Sequence, residues 1–287
     1  MEIRTIGVCG AGAMGTGIAH VAAQAGYRVI LRDLEMERVQ KAIATMDSLM
    51  QRAVAKGKLT EEQRTATLGR ITPVTELEAF AEADFMIEAI FEDLALKKEL
   101  FASLDRICRP GVVLATNTSS MSITEIAAAT QRPSQVVGMH FFNPAQVMRL
   151  VEVIHGYQSS DEAIQVAMGV ARQMGKTAIE VRKDSPGFIV NRILLPMMAE
   201  AVRVVEEGIA TPEEVDQAIT LGLNHPMGPF TLMDFTGVDV CHNVLEYFHR
   251  EFAQPQYAPP QLVKQMVRAG RLGRKAGKGF LGDYPQG

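Results

Sequence analysis

The chain has 287 residues, 47% of them hydrophobic and 22% charged, and a formal net charge of −4. That is room for two domains with buried cores, on an acidic balance that argues against a general nucleic-acid binder, which carries a basic excess. Cys9, Cys108 and Cys241 stand far apart in sequence; they offer neither a disulfide framework nor metal-ligand spacing, and they suit a reducing, cytoplasmic setting.

No apolar run reaches the ~18 residues of a membrane span, and Met1 leads almost directly into a strand, so no targeting segment is expected. Up to residue 184, short apolar runs alternate with helical stretches, the pattern of a mostly parallel sheet covered on both faces. Strands are expected at Thr5–Cys9, Arg28–Arg32, Asp84–Ile90, Val112–Ala115, Val136–His140, Val151–Ile154 and Ala178–Val181. Pro73 argues against a central strand at Ile71–Val74, because proline cannot donate to a ladder. Thr60 with Gln63, and Ser159 with Glu162, have capping-box spacing, and Gly175 suits a helix stop after Met174.

The turn-rich Asp184-Ser185-Pro186-Gly187 divides the chain into domains 1–184 and 185–287. Beyond it the pattern is helical. Val190–Glu207 is apolar around most of its circumference and belongs in a core or between subunits. Thr211-Pro212-Glu213-Glu214 starts another helix, with a cap, proline first and glutamate three on. The basic, glycine-punctuated run Arg271–Phe280 reads as a loop. The fold class is therefore α/β: a Rossmann-type, doubly wound, mostly parallel sheet followed by an all-helical C-terminal domain.

Gly10-Ala11-Gly12-Ala13-Met14-Gly15 lies between the strand ending at Cys9 and a helix opening near Met14. A lone G-x-G-x-x-G is weak evidence, but this context is that of a dinucleotide site. Gly10 permits the tight turn, Gly12 lets backbone N–H groups approach a pyrophosphate, and Gly15 allows close helix–strand packing. The helix N-terminus, with Ala13 and Met14, favours the negative charge. Asp33 closes the next strand 18 residues beyond Gly15. It would accept hydrogen bonds from ribose hydroxyls and repel a 2′-phosphate, which points to NAD over NADP. The adjacent Arg32 is the one residue here that could meet such a phosphate.

A dehydrogenase also needs a group that takes the alcohol proton as hydride leaves the same carbon, and histidine titrates near working pH. His140 closes a buried strand ahead of Phe141-Phe142-Asn143-Pro144, at the strand end where open α/β sheets place ligands. Taken alone, a histidine so placed is more often a satisfied core residue. His20, His155, His242 and His249 have no comparable setting and are read as structural.

Met139-His140-Phe141-Phe142-Asn143-Pro144, followed by Leu150-Val151-Glu152-Val153, resembles the L-3-hydroxyacyl-CoA dehydrogenase family, and within it the short-chain bacterial 3-hydroxybutyryl-CoA dehydrogenases most of all. The resemblance runs essentially end to end. It takes in Asn117-Thr118-Ser119-Ser120, Pro186-Gly187-Phe188-Ile189-Val190-Asn191-Arg192, His225-Pro226-Met227-Gly228-Pro229 and the tail Gly277-Lys278-Gly279-Phe280.

The resemblance implies that His140 is the catalytic base and Glu152 its partner. Ser119 would hydrogen-bond the substrate oxygen near the nicotinamide, and Asn191 would contact the reacting substrate from the second domain. Asn143 would orient Ser119 or His140. Asp33, Glu92, Lys97, Asn117 and Lys275, with Ser119 and Asn143, would surround the dinucleotide. Arg52 and Lys56, one helical turn apart, match the family's coenzyme A contacts, with Arg for the usual first lysine. Gln146 stands where the family often has proline, and Arg149 where it has lysine.

The implied activity is reversible NAD-dependent oxidation of an (S)-3-hydroxyacyl-CoA by a cytoplasmic homodimer joined through the C-terminal domain. Neither nucleic acid nor membrane is an expected partner, and no metal is called for. Two alternatives remain at this level: a sugar-acid dehydrogenase of the gulonate type, and a non-catalytic NAD-binding structural or sensor protein.

Overall fold

A computed structural model describes residues 2–284. The chain separates into two compact units, one running to Phe188 and the other beginning at Ile189, a few residues past the Asp184–Gly187 turn.

The first unit is an eight-stranded sheet: β1 (Thr5–Cys9), β2 (Arg28–Arg32), β3 (Ile71–Val74), β4 (Phe85–Glu88), β5 (Val113–Thr116), β6 (Val136–Phe141), β7 (Leu150–His155) and β8 (Thr177–Val181). Its order is β3-β2-β1-β4-β5-β6-β7-β8. Neighbours pair in parallel except β6 with β7, which run antiparallel. Ile71–Val74 does form a strand, but at the sheet's edge, where the missing N–H of Pro73 costs no central ladder bond.

Helices cover both faces, which is why the inner strands read as unbroken apolar runs rather than alternating ones. On one face α1 (Ala13–Gln24), α2 (Met36–Ala55) and α6 (Asp161–Gln173) bury Ile18, Ala22, Val39, Met46, Ile164 and Ala167. On the other, α4 (Leu94–Ile107) and α5 (Ile123–Ala127) bury Leu100, Phe101, Leu104, Ile123 and Ile126. The short α3 (Glu61–Leu68) starts with the expected Thr60–Gln63 capping box. The cap of α6 is Ser160 rather than Ser159. Ser159 is drawn off by the Gly156 N–H and the Val136 carbonyl. Gly175, at φ +73°, follows α6 as its stop.

The second unit consists of α7 (Val190–Glu206), α8 (Pro212–Leu223), α9 (Pro229–Thr236), α10 (Val238–Phe252) and α11 (Gln261–Arg268) around Met198, Val202, Phe230, Met233, Leu245, Phe248 and Val263. Thr211, Pro212 and Glu214 make the expected capping box of α8. Two buried carboxylates anchor the segments beyond α8. Asp216 accepts from the Phe230 and Thr231 N–H groups and the Thr231 hydroxyl, fixing the start of α9. Asp234 accepts from the Phe280 and Leu281 N–H groups and the Tyr284 hydroxyl. The tail expected as a loop is therefore more ordered than that: a 3-10 turn at Arg274–Ala276 and a two-stranded ribbon, Lys278–Gly279 with Gly282–Asp283.

Candidate active site

The glycine turn joins β1 to α1 at the carboxyl edge of the sheet. Gly10 has φ +110°, and a Cβ there would lie 2.3 Å from the Ala89 carbonyl; one on Gly15 would lie 1.8 Å from the Gly10 carbonyl. Both positions require glycine for the turn to close. At Gly12 an added Cβ meets nothing within 4 Å, so its lack of a side chain leaves open space over the turn instead of relieving a clash. The first turn of α1 has no side-chain cap and no acidic residue. Its N–H groups are thus open to an anion.

Asp33 follows β2 directly. One carboxylate oxygen accepts from the Ala11 N–H at 2.7 Å and the other from the Leu34 N–H at 2.8 Å, which holds the acid at the mouth of the turn. The Arg32 Nε donates to the Thr75 carbonyl at 2.8 Å. Acid at the ribose position and an open helix start fit a dinucleotide without a 2′-phosphate. Beneath the turn, burial pushes the Cys9 thiol up to about 12, so it is an inert core residue.

Glu92 and Lys97 were expected at the dinucleotide. Glu92 is partly exposed, while the Lys97 ammonium is buried between two acids, 2.6 Å from Glu88 and 3.1 Å from Glu92. Glu92 Oε1 accepts from the Thr118 hydroxyl at 2.6 Å and the Ser119 N–H at 3.0 Å. Ser119 is half-buried in the loop after β5. Asn117, at the start of that loop, accepts from the Phe141 N–H at 2.9 Å. That bond ties the serine loop to the end of β6.

His140 and Glu152 are directly opposed across the antiparallel β6–β7 pair, and His140 Nδ1 lies 2.7 Å from Glu152 Oε2. Both are buried, with the rings of Phe142 and Phe188 at 4.4 and 5.7 Å from the imidazole. The sequence pointed to Glu152 only through the resemblance. Part of a physical signal was available: an acid inside an otherwise apolar strand that follows the histidine strand.

The orienting role expected of Asn143 has no contact behind it. Its side chain is exposed at the turn before Pro144 and bonds neither Ser119 nor His140; Asn117 is the amide that reaches the histidine strand. Glu88 was missed altogether. It is a fully buried acid at the end of β4, held by Lys97, the Ile90 N–H and the Thr116 hydroxyl, and an acid closing an apolar strand was its visible sign.

Arg52 and Lys56 lie at the C-terminal end of α2, both exposed, and neither makes an ion pair among the described residues. Lys275 and Asn191 belong to the second unit. Lys275 pairs with Asp239 at 2.6 Å, and Asn191 sits half-buried in the first turn of α7.

Comparison with known proteins gives a consistent picture. The family model described as the NAD binding domain of 3-hydroxyacyl-CoA dehydrogenase matches residues 5–185, and that of its C-terminal domain matches residues 187–283. A Bacillus subtilis protein named "Probable 3-hydroxybutyryl-CoA dehydrogenase" is 48% identical over 286 residues, covering 100% of this chain and 99% of its own length. The 3-hydroxybutyryl-CoA dehydrogenase of Bradyrhizobium diazoefficiens is 42% identical over 282 residues, 98% of this chain and 96% of that one. The crystal structure of an (S)-3-hydroxybutyryl-CoA dehydrogenase from Ralstonia eutropha matches with a TM-score of 0.97 at 45% identity, over 99% of this chain and 100% of that one.

Proposed function

Since the chain belongs to the 3-hydroxyacyl-CoA dehydrogenase family, we propose that it catalyses the reversible NAD-dependent oxidation of (S)-3-hydroxyacyl-CoA to 3-oxoacyl-CoA, with 3-hydroxybutyryl-CoA as its substrate. The observation that carries this reading is the buried His140–Glu152 pair, 2.7 Å apart, on the same sheet edge as a glycine turn suited to a dinucleotide.

NAD, when bound, supplies the hydride acceptor. The open N–H groups of α1 would hold its diphosphate and Asp33 its ribose. In the oxidation, neutral His140 takes the C3 hydroxyl proton on Nε2, the nitrogen that Glu152 does not hold. Glu152 fixes the tautomer through Nδ1 and stabilises the imidazolium that forms. Ser119 hydrogen-bonds the same substrate oxygen, and in the reverse direction the imidazolium returns the proton. Phe142 and Phe188 keep water from the ring, which strengthens each of these contacts. Arg52 and Lys56, which pair with no carboxylate among the described residues, meet the phosphates of coenzyme A. For Asn191 and Lys275, and for the dinucleotide contact of Asn143, the support is the resemblance in sequence.

The second unit exposes Ile193, Ile209, Leu221, Leu223, Phe235 and Val240, more apolar surface than a free helical unit keeps in water. A second copy of the chain covering some of these side chains gives the proposed homodimer, checked by light scattering for a mass twice that of the chain. Among the described residues no helix is long and apolar enough to cross a membrane.

The deciding experiment is NADH oxidation with a series of 3-oxoacyl-CoA esters, a dicarboxylic one included, against free hydroxy acids with NAD. Turnover confined to the thioesters, and best with acetoacetyl-CoA, is expected. Turnover of a free sugar acid would move the protein to the gulonate type. No turnover with any thioester would make it a non-catalytic NAD binder.

A further inference from the structure

The reaction as proposed gives no part to Glu88, the fully buried acid at the end of β4. Its carboxylate is saturated: Oε1 takes the Lys97 ammonium at 2.6 Å and the Ile90 N–H at 2.7 Å, and Oε2 the Thr116 hydroxyl at 2.7 Å. Lys97 is only 1% exposed. Its position on α4 is fixed by Glu88, and its remaining contact is with Glu92 Oε2 at 3.1 Å. The other oxygen of Glu92 accepts from the Thr118 hydroxyl and the Ser119 N–H. Thr118 Oγ1 in turn accepts from the Met121 and Ser120 N–H groups at 3.0 and 3.3 Å. A continuous chain of charge-assisted bonds thus runs from the sheet interior to the turn that carries Ser119.

We propose that the Glu88–Lys97 pair is a positioning device for Ser119. It fixes an ammonium in the core, the ammonium holds Glu92, and Glu92 sets the Thr118–Met121 turn. Lys97 then acts on Ser119 through Glu92. The physical reason for a buried pair here is geometric. Such pairs add little net stability, whereas Glu92, partly exposed and without this anchor, would rotate into water and release the serine turn. This inference rests on the reading of Ser119 as the residue that meets the substrate oxygen.

The test uses the full chain carrying Glu88→Gln and Lys97→Met together, which removes both charges and leaves no lone buried ion; Gln can still accept from Ile90 and donate to Thr116. Amide hydrogen exchange at 118–121 is expected to quicken tenfold or more, and kcat/KM for acetoacetyl-CoA to fall tenfold or more, with the Kd for NADH within threefold of wild type. Glu92→Ala, at a partly exposed site that does not threaten folding, should reproduce both losses, and the triple variant should be no worse than Glu92→Ala alone. Exchange within twofold of wild type in both variants overturns the proposal. So does NADH binding weakened tenfold with exchange unchanged, which would place Lys97 directly on the dinucleotide. If the wild type turns over no acyl-CoA, the functional reading fails, while the exchange measurement still judges the device.

Discussion

Glu152 Oε2 stands 2.7 Å from His140 Nδ1, and the two residues are cross-strand partners in the antiparallel pair of the sheet. The distance is thus set by backbone register rather than by a loop, so the imidazole is oriented before substrate arrives. His140→Gln should lower kcat roughly a hundredfold or more while NADH affinity changes less than threefold. Glu152→Gln keeps the shape but not the charge that stabilises an imidazolium, and should cost about tenfold or more in kcat. Titration of NADH fluorescence and steady-state kinetics separate the two effects. Turnover of His140→Gln within threefold of wild type would remove the histidine from the chemistry.

Much of this pair was legible in residues, but not the part that makes it work. A histidine at a strand end and an acid within the next strand are visible in the chain. That β7 turns back against β6 is not, because strand direction is decided by the connection, here the Asn143–Arg149 turn, and not by the strands' own composition. Glu88 showed only a partial sign, an acid closing an apolar strand; that it is an anchor emerges once its partners Lys97 and Thr116, from other elements, are placed around it. The glycine turn was legible as a turn: the positive φ of Gly10 and the approach of Gly15 to the Gly10 carbonyl are local, whereas the Ala89 carbonyl beside Gly10 comes from a distant part of the chain. Ser160 displaced Ser159 as a helix cap because a tertiary bond, Ser159 to the Val136 carbonyl, outweighed a local pattern.

Cofactor preference turns on two neighbours with different partners. Asp33 is held at the turn by the Ala11 N–H, and Arg32 is bonded to the Thr75 carbonyl. Side-by-side kinetics should show NADH preferred over NADPH by tenfold or more. Asp33→Ala should erase most of that preference by weakening NADH use, without creating a preference for NADPH, because Arg32 remains engaged. A variant that favours NADPH would mean that Arg32 leaves Thr75 readily and is the stronger determinant.

The exposed cations at the end of α2 should act on binding alone. Arg52→Gln with Lys56→Gln is expected to raise KM for acetoacetyl-CoA about fivefold to fiftyfold with kcat within twofold, the signature of uniform binding lost. A truncated pantetheine thioester, which lacks the nucleotide phosphates, should be indifferent to the change. Equal losses on both thioesters would show that the pair does not meet phosphate.

His20, on α1, is buried, and neither ring nitrogen has a hydrogen-bond partner among the described residues. Burial first, and then the charge of Lys176, lower its pKa from the ordinary 6.5. The folded protein therefore keeps this ring neutral at a pH where the unfolded chain protonates it. As pH falls below about 6.5 the unfolded state binds the extra proton, so stability declines toward the lowered folded value. Above that window the group contributes no pH dependence. The slope from one such group is at most about 1.4 kcal/mol per pH unit. Replacing His20 with leucine removes the titration, and the orphaned ring nitrogens with it. Urea unfolding at pH 5.5 and 7.5 should show a larger loss of stability on acidification for the wild type than for His20→Leu. Equal losses in the two proteins would mean that the ring finds a proton acceptor in the folded state and titrates there as it does in the open chain.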